Sequence, residues 1–123
     1  MTLEELYSKM GGNYARAKQI MKMDKMIDKY VRKLKSSGIG EKLAEASETM
    51  DSTALFESAH SMKGVCGNLG LDDLAKGAEE ITEEFRPGTE RRMTDEEASA
   101  KVTSVLEKYR YTLECIEEYE SAA

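Results

Sequence analysis

Apolar residues recur at intervals of three and four along most of this chain, which is the spacing of one face of an α-helix. No segment alternates apolar and polar residues as a half-buried strand does, and the whole chain contains one proline. The pattern therefore predicts an all-α protein.

Two helices are predicted in the first third of the chain. Thr2 and Glu5 form a capping-box pattern that opens a short helix ending at about Met10. Asn13 is placed to cap a long second helix, which runs to about Lys35. The apolar repeat of this second helix consists of Ile20, Met23, Ile27, Tyr30 and Leu34.

The middle of the chain contains a break, a brief helical piece and a third helix. Residues Ser36–Gly40 interrupt the helical spacing, and Leu43 and Ala46 then mark the brief piece. Cap residues in Asp51–Thr53 precede the third helix, which is predicted over roughly residues 53–69 and stops before a glycine.

Two further helices complete the pattern. The fourth carries the repeat Leu71, Leu74, Ala78, Ile81 and Phe85. The segment Arg86-Pro87-Gly88 forces a turn, because proline cannot continue a helix, and Thr94 with Glu97 forms a second capping box. The last helix carries Ala98, Val102, Val105, Tyr109, Leu113 and Ile116 and extends almost to the end.

Four substantial amphipathic helices joined by short connections predict an antiparallel four-helix bundle, with additional short N-terminal and connecting helices. A chain of 123 residues is the size of one domain, so we expect a single domain over residues 1–123. Cys66 and Cys115 lie on apolar helical stripes, which favours reduced thiols in the core over a disulfide.

Charge and hydropathy exclude several functions. The net charge is −6, and the acidic side chains are spread along the chain, so nucleic acid is not an expected partner. The N-terminus lacks the basic and apolar segments of a secretory signal, and no apolar run is long enough for a membrane span. A cytoplasmic protein without a membrane segment is therefore expected.

The only histidine, His60, lies within the third helix and is the one side chain suited to chemistry near neutral pH. On a helical wheel, Gly64 and Gly67 fall within about 40° of His60 and Lys63 about 60° away. The other side of the wheel is apolar, so the imidazole is expected to be exposed. The predicted buried face consists of Leu55, Ala59, Met62, Val65, Cys66 and Leu69.

The two glycines need an explanation, because a glycine inside a helix costs about 1 kcal/mol relative to alanine. One explanation is clearance, since a backbone without β-carbons at Gly64 and Gly67 lets another macromolecule bring a reactive group to His60. The alternatives are that the helix ends early or that a neighbouring helix packs closely there.

The segment Ala59-His60-Ser61-Met62-Lys63-Gly64, continued by Gly67-Asn68-Leu69-Gly70-Leu71, resembles the signature of the histidine phosphotransfer (HPt) domain family of multistep phosphorelays. The likeness covers roughly residues 1–86, and the last helix is similar only in its pattern. The resemblance implies a phosphorelay intermediate in which Nε2 of His60 reversibly accepts a phosphoryl group from the aspartyl phosphate of a receiver domain and passes it to another receiver.

The resemblance also implies roles for residues near the histidine. Lys63 is expected to stabilise the phosphoryl oxygens. Glu57 is a candidate for orienting the imidazole by its position, one turn before His60 on the same face of the helix; the alternative for both is an ordinary solvated side chain. Receiver docking is expected to use Phe56, Gly64, Gly67 and Asn68, although Phe56 alternatively contacts an adjacent helix.

The implied partners are receiver domains of response regulators, with a hybrid sensor histidine kinase as a further candidate. The sequence has no glycine-rich nucleotide loop, no magnesium-binding carboxylate cluster and no metal site, so a phosphocarrier without catalytic machinery is expected rather than an enzyme. No cofactor is expected on this chain, and magnesium is expected on the receiver. An exposed transfer site needs no dimer, so a monomer is expected.

Two other functions stay open at this point. A phosphoacceptor domain of a chemotaxis-type kinase shares the His-x-x-Lys-Gly pattern, and it is phosphorylated by a kinase that uses ATP. The small residues Ser121-Ala122-Ala123 after a capped helix favour a chain that stops there, rather than one that continues into kinase modules. A module that binds receivers without being phosphorylated is disfavoured, because both His60 and Lys63 are present.

Overall fold

A computed structural model of the chain describes residues 1–122, and these fold into helices without any strand. Ala123, the last residue of the expected domain, lies outside the described residues. The all-α prediction is confirmed. The helices are α1 (Leu3–Met10), α2 (Tyr14–Met21), α3 (Asp24–Ser36), α4 (Ile39–Thr49), α5 (Ser52–Asn68), α6 (Asp72–Glu84) and α7 (Asp95–Ser121).

The bundle consists of α4, α5, α6 and α7, each packed against two of the others. Short connections reverse the chain, so neighbouring helices run antiparallel. The contacts reflect this direction, since Lys63 of α5 pairs with Glu79 of α6, while Lys101 of α7 pairs with Glu80. The predicted antiparallel four-helix bundle is therefore confirmed, but its fourth member is α4, predicted as a brief connecting piece, and not the predicted second helix. The additional helices α1, α2 and α3 pack on the bundle, and α3, with 13 residues, is as long as α6.

Most predicted helix ends are confirmed by capping contacts. Thr2 and Thr94 both form complete capping boxes at the starts of α1 and α7. The Asp51 side chain accepts hydrogen bonds from the backbone N–H groups of Thr53 and Ala54, which fixes the start of α5. Gly70, in the left-handed region with φ of 69°, follows the end of α5.

The prediction of one long second helix is wrong. The chain breaks at Lys22, where φ is 76°, and α3 then folds back against α2. Asp24 in the first turn of α3 accepts hydrogen bonds from the Tyr14 hydroxyl and, at 2.8 Å, from Lys18 Nζ. In one continuous helix Tyr14 and Asp24 would lie about 15 Å apart along the axis, so the break is what brings these polar partners together.

The predicted break at Ser36–Gly40 is too long. Gly38 is the N-cap of α4 with φ of 71°, and the helix already begins at Ile39, so the brief piece is an eleven-residue helix. Gly40 lies inside α4, where a β-carbon would collide with the ring of Tyr109 from α7. A glycine is therefore required at this position by the close packing of α4 against α7, and not by a turn.

The core runs through the bundle and contains both cysteines. Cys66 and Cys115 are free and buried, as predicted, and burial raises the pKa of the Cys66 thiol to about 12. Among residues 1–122 no helix is long and apolar enough to cross a membrane.

A buried carboxylate anchors the loop between α6 and α7. The Glu84 side chain is 4% exposed and accepts hydrogen bonds from Arg91 Nε at 2.8 Å and from the N–H groups of Arg92 and Met93. Burial alone would raise the pKa of the Glu84 carboxyl, but these hydrogen bonds outweigh it and hold the pKa below its ordinary value. The loop thus depends on an ionised Glu84.

We expect Glu84→Gln to lower the free energy of unfolding by about 1–3 kcal/mol at neutral pH, because the loop loses charge-assisted hydrogen bonds. Since the folded-state pKa is depressed, the stabilisation is present above the ordinary glutamate value of about 4.3 and is lost as the pH falls through the folded-state pKa. Urea denaturation at several pH values measures this. Glu114→Gln on the exposed face of α7 is the control, and an equal effect of both variants would contradict the anchor.

Candidate functional site

The helix α5 buries one face completely and leaves the other open. Leu55, Ala59, Met62 and Cys66 are fully buried, whereas His60 on the opposite side is exposed, as predicted. The packing of the bundle therefore presents the imidazole to the solvent.

Val65 departs from the expected buried face. It is 38% exposed, because it lies about 140° from His60 at the edge of the apolar face, where the neighbouring helices leave it uncovered. Beside it, Ile20 of α2 is 41% exposed. Both line a surface groove of about 800 Å³ that also includes Tyr30 and Asn68. Sequence periodicity missed this apolar groove, because the groove exists only where the broken second helix meets α5.

The two helical glycines face open space. Apart from the adjoining residues and backbone of α5 itself, a β-carbon built at Gly64 or at Gly67 would meet no atom of residues 1–122 within 4 Å. The helix continues past both of them to Asn68. An early helix end and a closely packed neighbour are therefore both wrong as explanations of these glycines, and clearance on the histidine side remains.

The ring of Phe56, one turn before the histidine, stacks on the imidazole. The ring centroids of Phe56 and His60 are 5.6 Å apart and their planes differ by 10°. Within residues 1–122 the imidazole has no hydrogen-bond partner, and the exposed carboxylate of Glu57 does not contact it in this way. A stacked aromatic pair contributes about 0.5–1.5 kcal/mol beyond its buried area, so Phe56 is the contact that holds the ring.

The segment after α6 contributes a cation that the sequence did not reveal. The guanidinium carbon of Arg86 lies 5.4 Å from the centroid of the Phe56 ring, so the neighbour of Phe56 here is the segment that follows α6. Arg86 in turn binds Glu83, with Nε and Nη2 lying 2.7 and 2.6 Å from Oε2. The hydrogen bond from Arg86 holds the pKa of the Glu83 carboxyl below its ordinary value.

Lys63, one turn after the histidine, is shared with α6. Its Nζ lies 3.6 Å from Oε1 of Glu79, and its side chain is 37% exposed. Exposed ion pairs contribute only about 0–1 kcal/mol, so the ammonium can exchange Glu79 for another anion at little cost. The pairing was missed because it depends on the register of two antiparallel helices.

The predicted site residues thus lie on one face of α5. His60, Phe56, Lys63, Gly64 and Gly67 are neighbours along this face, and α6 adds acidic and basic groups at one edge. The exposed Asn68 lies farther along, at the groove. An exposed nucleophilic nitrogen, an adjacent ammonium and bare backbone are suited to receiving an anionic group from a macromolecule.

The comparison with protein-family models gives one result that covers this region. The model described as Hpt domain matches residues 36–118, which is more than half of the chain and includes α4, α5, α6 and most of α7. The match begins and ends later than the likeness over residues 1–86 seen in the sequence. No curated protein and no solved structure matched the chain significantly.

Hpt domains are phosphocarrier modules for histidine phosphotransfer in phosphorelays, and their partners there are receiver domains. The match covers the helix that carries the exposed imidazole and the helices that hold it. This chain therefore belongs to the Hpt domain family.

Proposed function

We propose that His60 is the phosphoacceptor of a phosphorelay intermediate, which takes a phosphoryl group from the aspartyl phosphate of one receiver domain and passes it to another. The observation that carries the proposal is the exposed imidazole beside two glycines whose missing β-carbons leave open space. Transfer requires close approach of the nucleophile to the phosphorus on the receiver, and bare backbone permits that approach.

The transfer is a displacement at phosphorus. The lone pair of Nε2 in neutral His60 attacks the phosphorus, the bond between phosphorus and the aspartate oxygen breaks, and the carboxylate leaves with the bonding electrons. Nδ1 keeps its proton, so the product is a phosphohistidine without a separate acid or base. The reverse reaction loads the next receiver.

Lys63 compensates the charge of the transferred group. Its ammonium is one turn from His60 and, among residues 1–122, is paired only with the exposed Glu79 at 3.6 Å, so it can turn toward the phosphoryl oxygens. The magnesium ion and the remaining catalytic groups are supplied by the receiver. The chain acts as a single carrier domain over residues 1–123.

Receiver docking uses the open face of α5 and the adjacent groove. Gly64 and Gly67 allow close approach, Phe56 offers an aromatic surface, and Asn68 connects this face to the groove lined by Val65. The groove is lined largely by apolar side chains and meets α5 at Val65 and Asn68, and apolar contacts with a polar rim are typical of specific protein interfaces. The site binds one receiver at a time, so a monomer is sufficient for this function.

Incubation with a radiolabelled phosphorylated receiver and magnesium is expected to label the wild-type protein on histidine. His60→Gln is expected to abolish this label without loss of helicity, because the variant lacks the only imidazole. The receiver domains of response regulators and of hybrid sensor kinases from the same genome are the donors to compare, ranked by initial rate.

The alternatives give different outcomes in this assay. Label supplied only by a kinase catalytic domain with ATP, and by no receiver, indicates a chemotaxis-type phosphoacceptor. Receiver binding without label on wild type indicates a silent binding module. Either result overturns the proposed receiver-to-receiver transfer.

Gly64→Ala is expected to make the protein more stable and less active. The added β-carbon meets no atom of the protein and improves helix propensity, which raises the free energy of unfolding by about 0.5–1 kcal/mol. The same methyl group obstructs the receiver and slows transfer by about 10- to 100-fold. Thermal unfolding and the transfer rate are measured on the same samples.

Gly40→Ala is the matched control, because its β-carbon collides with Tyr109 and must destabilise the fold. If the Gly64→Ala variant transferred the phosphoryl group at the wild-type rate, Gly64 would not be needed to let the receiver approach.

Val65→Asp is expected to raise the half-saturating receiver concentration by about tenfold, because it places a charge in the apolar groove of the docking surface. Tyr111→Asp is the control, since Tyr111 is another exposed large side chain, 49% exposed, on the distant helix α7. Titration of the initial transfer rate with receiver measures both. If Val65→Asp and Tyr111→Asp changed the half-saturating receiver concentration equally, the groove would not be the docking surface.

A further inference from the structure

The imidazole of His60 is held by its face and not by either nitrogen. Its nearly parallel partner is the Phe56 ring, 5.6 Å away between centroids, while its nitrogens make no hydrogen bond within residues 1–122. An orienting carboxylate, the role expected of Glu57, would occupy one ring nitrogen. Stacking restricts the plane of the ring and leaves both nitrogens without a hydrogen-bond partner. One nitrogen can then accept the phosphoryl group while the other carries the proton of the imidazole.

The Phe56 ring is itself contacted by the segment that follows α6. Arg86 lies over the Phe56 ring at 5.4 Å, a distance within the range of cation–π contacts. Glu83, one turn before it, binds two nitrogens of this guanidinium through Oε2. Phe56 is half-buried against the hydrophobic core, and its ring also contacts His60 and Arg86.

The loop that follows reinforces this arrangement. Arg86 is the second residue after α6, immediately before Pro87, and the loop beyond it is tied down by the buried Glu84. The side chain that covers Phe56 therefore starts from a fixed backbone. A chain of contacts runs from α6 through Arg86 and Phe56 to the imidazole.

We propose that Phe56 and Arg86 are positioning residues for phosphoryl transfer: Phe56 sets the plane of the His60 ring by stacking, and Arg86, held by Glu83, keeps Phe56 in place. This inference rests on the proposed function of His60 as phosphoacceptor and adds how its nucleophile is oriented. Fixing the ring before the receiver arrives lowers the orientational cost of reaching the reactive geometry.

The test separates positioning from docking by measuring transfer from a radiolabelled phosphorylated receiver domain over a range of receiver concentrations. Phe56→Leu keeps apolar bulk but loses the aromatic face, and we expect the maximal rate constant to fall about 2- to 10-fold. Phe56→Tyr keeps the face and is expected to restore the wild-type rate.

Arg86→Gln is expected to lower the maximal rate constant about 2- to 5-fold at an unchanged half-saturating receiver concentration. Because Arg86 acts through Phe56, the double variant Phe56→Leu/Arg86→Gln should be no slower than Phe56→Leu alone. Circular dichroism melts check that each variant is folded.

Several results would overturn the inference while leaving His60 as phosphoacceptor: a wild-type maximal rate in Phe56→Leu, additive effects in the double variant, or changes confined to the half-saturating concentration. Failure of the proposed function itself has a different signature, since wild type would then accept no label from any receiver. The two failures are therefore distinguishable in one set of assays.

Discussion

The burial of one face of α5 is the constraint on which the site depends. Leu55, Ala59 and Met62 have no exposed surface, and removing a large apolar side chain from water contributes about 1.5–3 kcal/mol. The two glycines of the same helix cost about 1 kcal/mol each. The buried face therefore more than offsets the glycines, and the helix stays intact on both sides of a bare surface. The rotation that buries Met62 also directs His60 outward.

The charges around the imidazole include one weak, replaceable pair. Lys63 with Glu79 is an exposed ion pair at 3.6 Å, which contributes little to stability and exchanges partners readily, whereas Arg86 binds Glu83 through two nitrogens and also lies over the Phe56 ring. A phosphoryl group brings negative charge into this region, where Lys63 is the nearest cation along α5. Glu79 and Glu83 balance the cations before the phosphoryl group arrives. The resting site is thus close to neutral locally, within a chain of net charge −6.

Local signals were sufficient to predict much of the fold. The capping residues Thr2 and Thr94 and the stop at Gly70 act through neighbours in sequence, so their helix ends were predicted correctly. The break at Lys22 was not predicted, because Ile20 and Met23 keep the helical spacing of apolar residues on both sides of it. The break brings Asp24 to Tyr14 and Lys18, and periodicity does not encode contacts of this kind.

The same limit applies to the site. Exposure of His60 and the placement of its neighbours on α5 follow from one helical wheel and were predicted. Val65 was placed on the wrong face, since its exposure depends on where α2 stops covering α5. Arg86 lies 26 positions after His60 in the sequence. It contacts the Phe56 ring, which stacks on His60, only because of the register of α5 against α6. Contacts of this kind are set by tertiary packing.

The most direct test of the account is nitrogen-15 NMR of the imidazole before and after phosphorylation by a receiver. We expect one phosphorylated imidazole, that of His60, with the phosphoryl group on Nε2 and the proton on Nδ1. A phosphoryl group on Nδ1, or on any side chain other than His60, would contradict it.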